Sequence, residues 1–161
     1  MQAQPTSEHQ WLSKLVGEWV FESSCSMGPD QPAMLTKGRE TVRSLGGLWT
    51  IGEANMGSTE SDGRSIMTLG YDPTKKKFVG TFIASMMTHL WPYEGTLDQS
   101  GKILTLDSEG PSFATEGAYA KYQDSIEFVD DNHRILSSRM LLPDGQWVAF
   151  MEAHYHRVFG S

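Results

Sequence analysis

The chain has 161 residues and a formal net charge of −7 at pH 7; 39 % of its residues are hydrophobic and 11 % are aromatic. This length fits one domain, and the bulky rings bury enough area per residue to build a core. The acidic balance repels phosphate backbones and anionic lipid head groups, which argues against nucleic-acid and membrane partners.

The single cysteine and the first residues predict the compartment. Cys25 has no partner for an internal disulfide, so the fold does not depend on an oxidising environment. Its place among serines favours a buried small side chain over a catalytic thiol. Residues 1–6 lack the basic and apolar segments of a signal peptide, and no stretch approaches the ~20 apolar residues of a membrane-spanning helix. We expect a cytoplasmic protein with a flexible segment at 1–6, one domain at 7–158 and a tail at 159–161.

The first predicted element is a short helix over residues 7–16. Ser7 and Gln10 have the spacing of a capping box, and Gly17 is the kind of residue that ends a helix. The apolar side chains fall on one helical face and its border: Trp11, Leu12, Leu15 and Val16. Such a stripe has to pack against the strands that follow.

Nine turn signals divide the remaining chain into ten predicted β-strands. The strands are expected at 18–27, 34–44, 48–56, 65–71, 76–85, 88–97, 103–108, 117–129, 134–142 and 146–158. Pro92 predicts a bulge or a kink in the sixth strand. Ten antiparallel strands in one small domain favour a closed barrel, because closure removes exposed edges. A barrel this wide is not filled completely by its own side chains. The sequence therefore predicts an all-β barrel with a ligand cavity and with the helix across one end.

Several short motifs, in their order and spacing, resemble a known bacterial family. They are Glu8-His9-x-x-Leu12-x-x-Leu15-x-Gly17-x-Trp19, Leu45-Gly46-Gly47, Gly70-Tyr71-Asp72, Gly95-Thr96-Leu97-Asp98 and Met151-Glu152-x-x-Tyr155-x-Arg157. Over essentially the whole chain they resemble the family called Domain of Unknown Function 1579. The resemblance implies a lipocalin-like (calycin-type) barrel with an N-terminal helix, and it carries no established reaction or substrate.

A more distant similarity brings haem into consideration. A Gly-x-Trp motif after a helix is similar to the start of lipocalins and of the haem-binding nitrobindins. In nitrobindins a late histidine ligates the haem iron. The resemblance leaves both His154 and His156 open as the corresponding residue.

The tenth predicted strand places three potential metal ligands on one face: Glu152, His154 and His156. Histidine and glutamate suit zinc or iron. Because alternate residues lie ~6.5–7 Å apart along a strand, one ion also needs a ligand from a second strand, and His89 or His133 is the candidate. The alternative is structural: Glu152 pairs with Arg139 or Arg157, and the last histidine is solvated.

Aromatic residues on at least six predicted strands form the second constellation. They are Trp19, Trp49, Phe82, Trp91, Tyr93, Tyr119 and Trp147. Any single ring is most simply explained by core packing. As a set in a wide barrel, some of them are expected to line a pocket for a flat or apolar ligand. The predicted ligand-binding residues are these rings, except Trp147, together with Glu152 and His154.

A third constellation offers acid–base chemistry. Glu53 lies in an apolar alternation, where burial would raise its pKa toward a useful range. His89 and Tyr93 are its candidate partners. The alternative is a salt bridge from Glu53 to Arg39 or Arg43 on the neighbouring strand.

Three functions remain open at this stage, with the cofactor unknown. The first is binding of a small apolar or aromatic molecule in the barrel. The second is an isomerase, lyase or hydrolase that uses acid–base residues in the same cavity, drawn from Glu53, His89, Tyr93, Glu152 and His154. The third is self-association as a homodimer through strand pairing or an outer apolar face; haem and divalent metal are further alternatives. The sequence contains no nucleophile elbow, phosphate-binding glycine loop, dinucleotide fingerprint or Cys-x-x-Cys.

Overall fold

The computed structural model describes residues 2–26, 31–57 and 62–159. These residues form one helix and ten strands: α1 (Ser7–Ser13), β1 (Gly17–Cys25), β2 (Met34–Leu45), β3 (Trp49–Met56), β4 (Arg64–Asp72), β5 (Lys77–Ala84), β6 (Trp91–Leu97), β7 (Ile103–Pro111), β8 (Tyr119–Asp130), β9 (His133–Leu141) and β10 (Trp147–Arg157). The predicted turn signals at 28–32 and 57–63 lie partly outside the described residues.

The ten strands form a closed antiparallel barrel. Each strand pairs with its sequence neighbours, and β1 pairs with β10 to complete the ring. The predicted barrel, with its short N-terminal helix across one end, is confirmed. Because the ring is closed, the described strands leave no edge for the strand-pairing route to a homodimer.

The helix differs from its prediction at both ends. Thr6, rather than Ser7, is the N-cap, and its backbone N–H donates to His9 Nδ1 at 2.9 Å. The chain leaves the helix after Ser13 because the next amides bond three residues back, as in the 3.0 Å bond from Leu15 N–H to the Leu12 carbonyl. This tighter turn leads into Gly17, which has a positive φ of 140°.

The bulge predicted at Pro92 is wrong. The β5–β6 pairing runs from Phe78–Gly95 to Phe82–Trp91 without a register shift. The pairing of β6 with β7 begins only at Glu94, so no β7 partner lies opposite the N–H that proline lacks. A bulge occurs instead in β10, where the register shifts between Ala149 and Met151.

Alternate side chains of every strand point into the barrel, and the interior divides into two halves. The closed half lies against α1, where the Trp11 ring packs edge-on against Phe78 and Phe128, with ring centroids 6.1 and 5.2 Å apart. The indole N–H of Trp19 donates to the Leu15 carbonyl at 2.8 Å. The largest fully buried side chains, with under 2 % exposure, gather here: Leu12, Trp19, Leu69, Phe78, Leu104, Leu106 and Ile126. This half is a packed core.

Candidate functional site

The open half is the part of the interior away from α1, toward the loops at 85–90, 112–118 and 142–146. One wall carries bulky side chains from β5, β6, β8, β9 and β10: Phe82, Trp91, Tyr122, Met140 and Phe150. The opposite wall, on β1 to β4, carries mostly small ones: Ser23, Cys25, Thr36, Ala54 and Ser65, with Met56 and Met67 as larger members. Large rings that face small side chains across a barrel leave space between the walls.

Accessible surface inside the barrel marks that space. Inward side chains of the open half are only partly buried, among them Ser23, Thr36, Met67, Phe82, Asp124 and Met151. In the closed half, Trp19, Leu104 and Leu106 are 0 % exposed. The open half is therefore reachable by solvent-sized molecules, whereas the closed half is not.

The bulky wall is an array of edge-to-face rings. The Tyr122 ring lies 4.9 Å from Trp91 and 6.0 Å from Phe150, centroid to centroid. Phe113, from the 112–118 loop, covers both Tyr122 and Phe150 at 5.6 and 5.1 Å. The Tyr122 hydroxyl is fixed by donating to the Pro111 carbonyl. These contacts hold the rings as a rigid apolar surface.

Two buried polar atoms of this wall have no hydrogen-bond partner within the described residues: Trp91 Nε1 and Ser108 Oγ. Trp91 is 91 % buried, since its exposure is 9 %. Ser108 is paired with Tyr122 across the β7–β8 ladder, so it belongs to the same wall. A buried polar group without a partner costs about 1–3 kcal/mol. Each of these atoms has under 1 Å² of accessible surface, so the wall has to shift slightly before either can bond a ligand.

A hydrogen-bonded carboxylate lies deeper in the open half. The Tyr93 hydroxyl donates to Asp124 Oδ2, and the side chain of Ser138 also bonds Asp124. Burial raises the pKa of Asp124, while the bonds from Ser138 and Tyr93 act in the opposite direction. Burial, then the negative charge of Asp124, raises the pKa of Tyr93 well above its usual value. Tyr93 therefore stays protonated and remains a donor.

An internal ion pair lies beside the rings of Trp19 and Tyr155. Arg134 of β9 bonds Glu40 of β2 across the barrel, and both residues are buried. The guanidinium lies between two rings, 4.0 Å from the Tyr155 centroid and 4.6 Å from that of Trp19. Arg134 Nε has no partner within the described residues. Burial is the main cause that raises the pKa of Tyr155, so its hydroxyl also stays protonated.

The predicted aromatic set divides between the two faces of the sheet. Four rings point inward: Trp19, Phe82, Trp91 and Tyr93. Three do not: Trp49 covers Gly70 on the outer face, Trp147 packs under Arg139, and Tyr119 is 64 % exposed at the rim. The predicted placement of Trp49 and Tyr119 in the pocket is wrong, because their parity in β3 and β8 turns them away from it.

The predicted acid–base residues do not converge. Glu53 lies on the outer face, and its Oε1 is 3.6 Å from Arg43 Nη2, so the salt-bridge alternative holds and the expected burial is wrong. The His89 Nε2–H donates to the Glu109 carbonyl at 2.9 Å, at the rim near β6 and β7. Tyr93 alone faces the interior, where its partner is Asp124.

The row on β10 also faces outward. His154 Nε2 lies 2.7 Å from Glu152 Oε1, and His154 Nδ1 lies 2.9 Å from Nε2 of His133 on β9. The His133 ring stacks on His156 at 4.4 Å. Burial, then His156 and His154, lower the pKa of His133. Phe150, two positions before Glu152, packs inward instead, because the β10 bulge changes the alternation.

The outward position of the β10 row shows whether the two histidines that the resemblance indicated can ligate haem iron inside the barrel. His154 and His156 both project from the outside of the barrel. Neither reaches the open half, so these residues do not fit a haem held inside.

Sequence reasoning missed the polar groups of the interior: Glu40, Ser108, Asp124, Arg134 and Ser138. The alternation of β8 could have indicated one of them, because it places Asp124 between Tyr122 and Ile126 on one face. Arg134 likewise shares its face with Leu136 and Met140 of β9. A charge on an otherwise apolar face of a strand indicates a buried pair or a binding group.

The comparisons with known proteins agree with this fold. The family model described as "Protein of unknown function (DUF1579)" matches residues 4–157, so the chain belongs to that family. No curated protein matches the sequence. No described helix has both the length and the apolar character needed to cross a membrane.

Two solved structures are similar along nearly their whole length. One is the crystal structure of Rv2717c from M. tuberculosis, with a TM-score of 0.66 and 12 % identity, covering 97 % of this chain and 100 % of that one. Another is the S-type phycobiliprotein lyase CPES from Guillardia theta, with a TM-score of 0.57 and 12 % identity, covering 98 % and 96 %. At this identity the likeness shows a shared lipocalin-like barrel.

Proposed function

We propose that this protein binds a small, flat, largely apolar molecule in the open half of its barrel. The observation that carries the proposal is the partly accessible interior of the open half beside a wall of aromatic rings. Within the described residues, two polar atoms of that wall, Trp91 Nε1 and Ser108 Oγ, have no partner. Ligand pockets combine an apolar lining with a few polar groups that fix orientation.

The shape of the open half favours a planar ligand. The rings of Trp91, Tyr122 and Phe150 form one wall, and the opposite wall has small side chains such as Ser23 and Ala54. A flat molecule packed between the two walls gains aromatic contact on one side without a steric clash on the other.

The polar atoms define the chemistry of the ligand. The Trp91 indole only donates, so it needs an acceptor such as a carbonyl, an ether or a ring nitrogen. The Ser108 hydroxyl donates or accepts and satisfies a second polar atom nearby. Tyr93 is already committed to Asp124, so it contributes a polar floor.

The rim offers an apolar approach to the open half. Several large apolar side chains around it are exposed: Met34, Leu35, Met86, Met87, Leu90, Phe113 and Tyr119. Exposed apolar groups that cluster beside a cavity are typical of a binding entrance. One structural neighbour is named a phycobiliprotein lyase, but at 12 % identity the proposal rests on this chain's own residues.

The test combines identification with a matched pair of variants. Native mass spectrometry of the untagged protein reveals any co-purifying molecule, and titration with the fluorescent probe N-phenyl-1-naphthylamine measures binding to the apolar wall. We expect Trp91→Leu to weaken probe binding at least tenfold, because it removes the largest ring of the wall. Trp147→Leu removes a tryptophan from the outer face and leaves the affinity within twofold. Equal effects of the two substitutions, or no probe binding, would contradict the proposal.

A second candidate is a proton-transfer enzyme that works in the same cavity. The raised pKa of the inward-facing carboxyl of Asp124, beside the protonated Tyr93, favours it. Incubating the protein and the co-purified molecule in D2O tests it: enzyme action exchanges a carbon-bound proton of that molecule, and Asp124→Asn abolishes the exchange. Binding without exchange in the wild type excludes this candidate.

A further inference from the structure

The outer face of the barrel carries a cluster of three imidazoles and a carboxylate. His133 begins β9, and its directly paired residue on β10 is His156. His154 lies one alternate position along β10, followed on the same face by Glu152. A groove of 750 Å³ borders the cluster and is lined by Glu152, His154 and His156. The cluster is therefore open to small solutes, and the alternation of β10 puts its side chains on the face opposite Ala153 and Tyr155, which point into the barrel.

The hydrogen bonds fix which ring nitrogens carry protons. Glu152 accepts at 2.7 Å from His154 Nε2, so the proton of the neutral His154 ring is on Nε2. His154 Nδ1 then has a free lone pair, and it accepts from His133 Nε2 at 2.9 Å. Two ring nitrogens thus point at one shared proton, with a carboxylate behind one of them.

The spacing of the two nitrogens, 2.9 Å, is close to that of two imidazole ligands on one metal ion. Two Zn–N bonds of about 2.0–2.1 Å at a tetrahedral angle place the nitrogens about 3.3 Å apart. The two nitrogens therefore have to separate by only about 0.4 Å. Each ring also has to turn by about 35°, because in the hydrogen bond the nitrogens point at each other whereas the ion lies off the line between them. The Glu152–His154 bond is the carboxylate–histidine arrangement that commonly orients a metal ligand.

We propose that His133 Nε2 and His154 Nδ1 bind one divalent transition-metal ion of the Zn²⁺, Ni²⁺ or Cu²⁺ class in place of the shared proton. The neutral His133 ring then carries its proton on Nδ1. Water completes the coordination, since no three His, Cys, Asp or Glu side chains within the described residues are arranged around one ion. Imidazole nitrogen selects these ions over Mg²⁺ and Ca²⁺, which prefer oxygen.

Two neighbours support the pair. The His156 ring stacks on His133 at 4.4 Å with an interplanar angle of 23°, which limits rotation of the His133 ring. Glu22, across the β1–β10 ladder from His154, adds negative charge and is partly balanced by Lys37 at 3.4 Å. Glu152 is a positioning residue here, because it acts through His154.

Calorimetric titration of the untagged full chain with Zn²⁺ or Ni²⁺ alone is the test. We expect one equivalent to bind, and Mg²⁺ to give no heat. His133→Gln and His154→Gln each abolish the binding, whereas His89→Gln, which alters a histidine at the rim, leaves the affinity within twofold. Absence of binding in the wild type, or unchanged binding in either His133→Gln or His154→Gln, would overturn the proposal.

The Glu152 carboxylate allows a second test of the metal site, independent of the two histidine variants. Removal of such a partner typically weakens metal affinity 10- to 100-fold, so Glu152→Gln should weaken it about tenfold, while the matched outer-face variant Glu53→Gln does not. Nitrogen NMR of the wild type reports the site directly: the ion shifts His154 Nδ1 and His133 Nε2. Shifts confined to other histidines would contradict the assignment, whatever the stability of the variants.

Discussion

The closed and open halves of the barrel are built from the same ten strands. They differ in the side chains that those strands direct into the interior. In the closed half, Leu104, Leu106 and Trp19 are completely buried, and α1 covers the end. In the open half, rings face mostly small side chains, and two polar atoms have no partner among the residues that the structure describes. One continuous sheet can thus concentrate its stability at one end and keep binding surface at the other.

The largest effect on the free energy of unfolding is expected at the buried ion pair of Arg134 and Glu40. Arg134→Met leaves Glu40 buried without its partner, and breaking a buried pair in this way costs about 3–5 kcal/mol. Replacing both residues, as Glu40→Leu with Arg134→Met, should recover most of that loss, since a well-packed apolar pair is often neutral. Urea unfolding of the three variants checks this. If the double variant is no more stable than Arg134→Met, the loss does not come from the unpaired Glu40 carboxylate, and the account of this pair is wrong.

Two phenylalanines on one strand compare the halves directly. Phe78 and Phe82 share the inward face of β5, and Phe78 is 2 % exposed whereas Phe82 is partly exposed. We expect Phe78→Ala to cost about 3–5 kcal/mol and Phe82→Ala to cost no more than about 2 kcal/mol. Equal costs, measured by chemical unfolding, would mean that the open half is packed as tightly as the closed half.

Gly110 tests whether the aromatic wall is rigid. A Cβ at this position would lie 2.3 Å from the Trp91 ring, so Gly110→Ala has to displace that ring. The expected cost in stability is about 1–3 kcal/mol, accompanied by weaker binding of N-phenyl-1-naphthylamine. Gly101→Ala is the control for a loss of stability that leaves Trp91 in place: its φ of 74° strains an alanine, by about 1–2 kcal/mol, but no described atom lies within 4 Å of the new Cβ, so probe affinity should not change. Full probe affinity in Gly110→Ala would show that Trp91 does not shape the site.

The carboxyl of Asp124 predicts a pH dependence of the open half. Its pKa is raised in the folded state, so the folded protein holds this proton more tightly than the unfolded chain does. Its contribution to stability is therefore complete below about pH 4 and is lost as the pH rises through the raised pKa. Asp124→Asn removes this slope. Unfolding curves of both proteins from pH 4 to 8 should converge at the acid end, and a constant difference would contradict the assignment.

The smallest effect is expected on the outer face. Glu53 and Arg43 are 3.6 Å apart with side chains about half exposed, and such pairs contribute about 0–1 kcal/mol. Glu53→Gln should leave thermal stability and probe binding nearly unchanged. A clear loss of probe binding would contradict the placement of Glu53 outside the binding site.

The barrel could be predicted from the sequence because turn residues recur at strand spacing, and the helix because its apolar stripe follows the helical period. Alternation in a strand separates two faces but does not say which one is inside, and this misplaced Trp49, Tyr119 and Glu53. One extra residue at the β10 bulge then reversed the alternation for Phe150. Glu40 and Arg134 are 94 positions apart, and only barrel closure brings them together.

The most direct test of ligand binding in the open half is methyl NMR of the protein with N-phenyl-1-naphthylamine. Methionine methyls report the open half through Met140 of the aromatic wall and the partly accessible Met67 and Met151. Isoleucine and leucine methyls report the closed half through Ile126, Leu69 and Leu104. We predict that the probe shifts the methionine signals and leaves the closed-half signals in place. Unshifted methionine signals at saturating probe, or shifts centred on Leu104 and Ile126, would contradict the account.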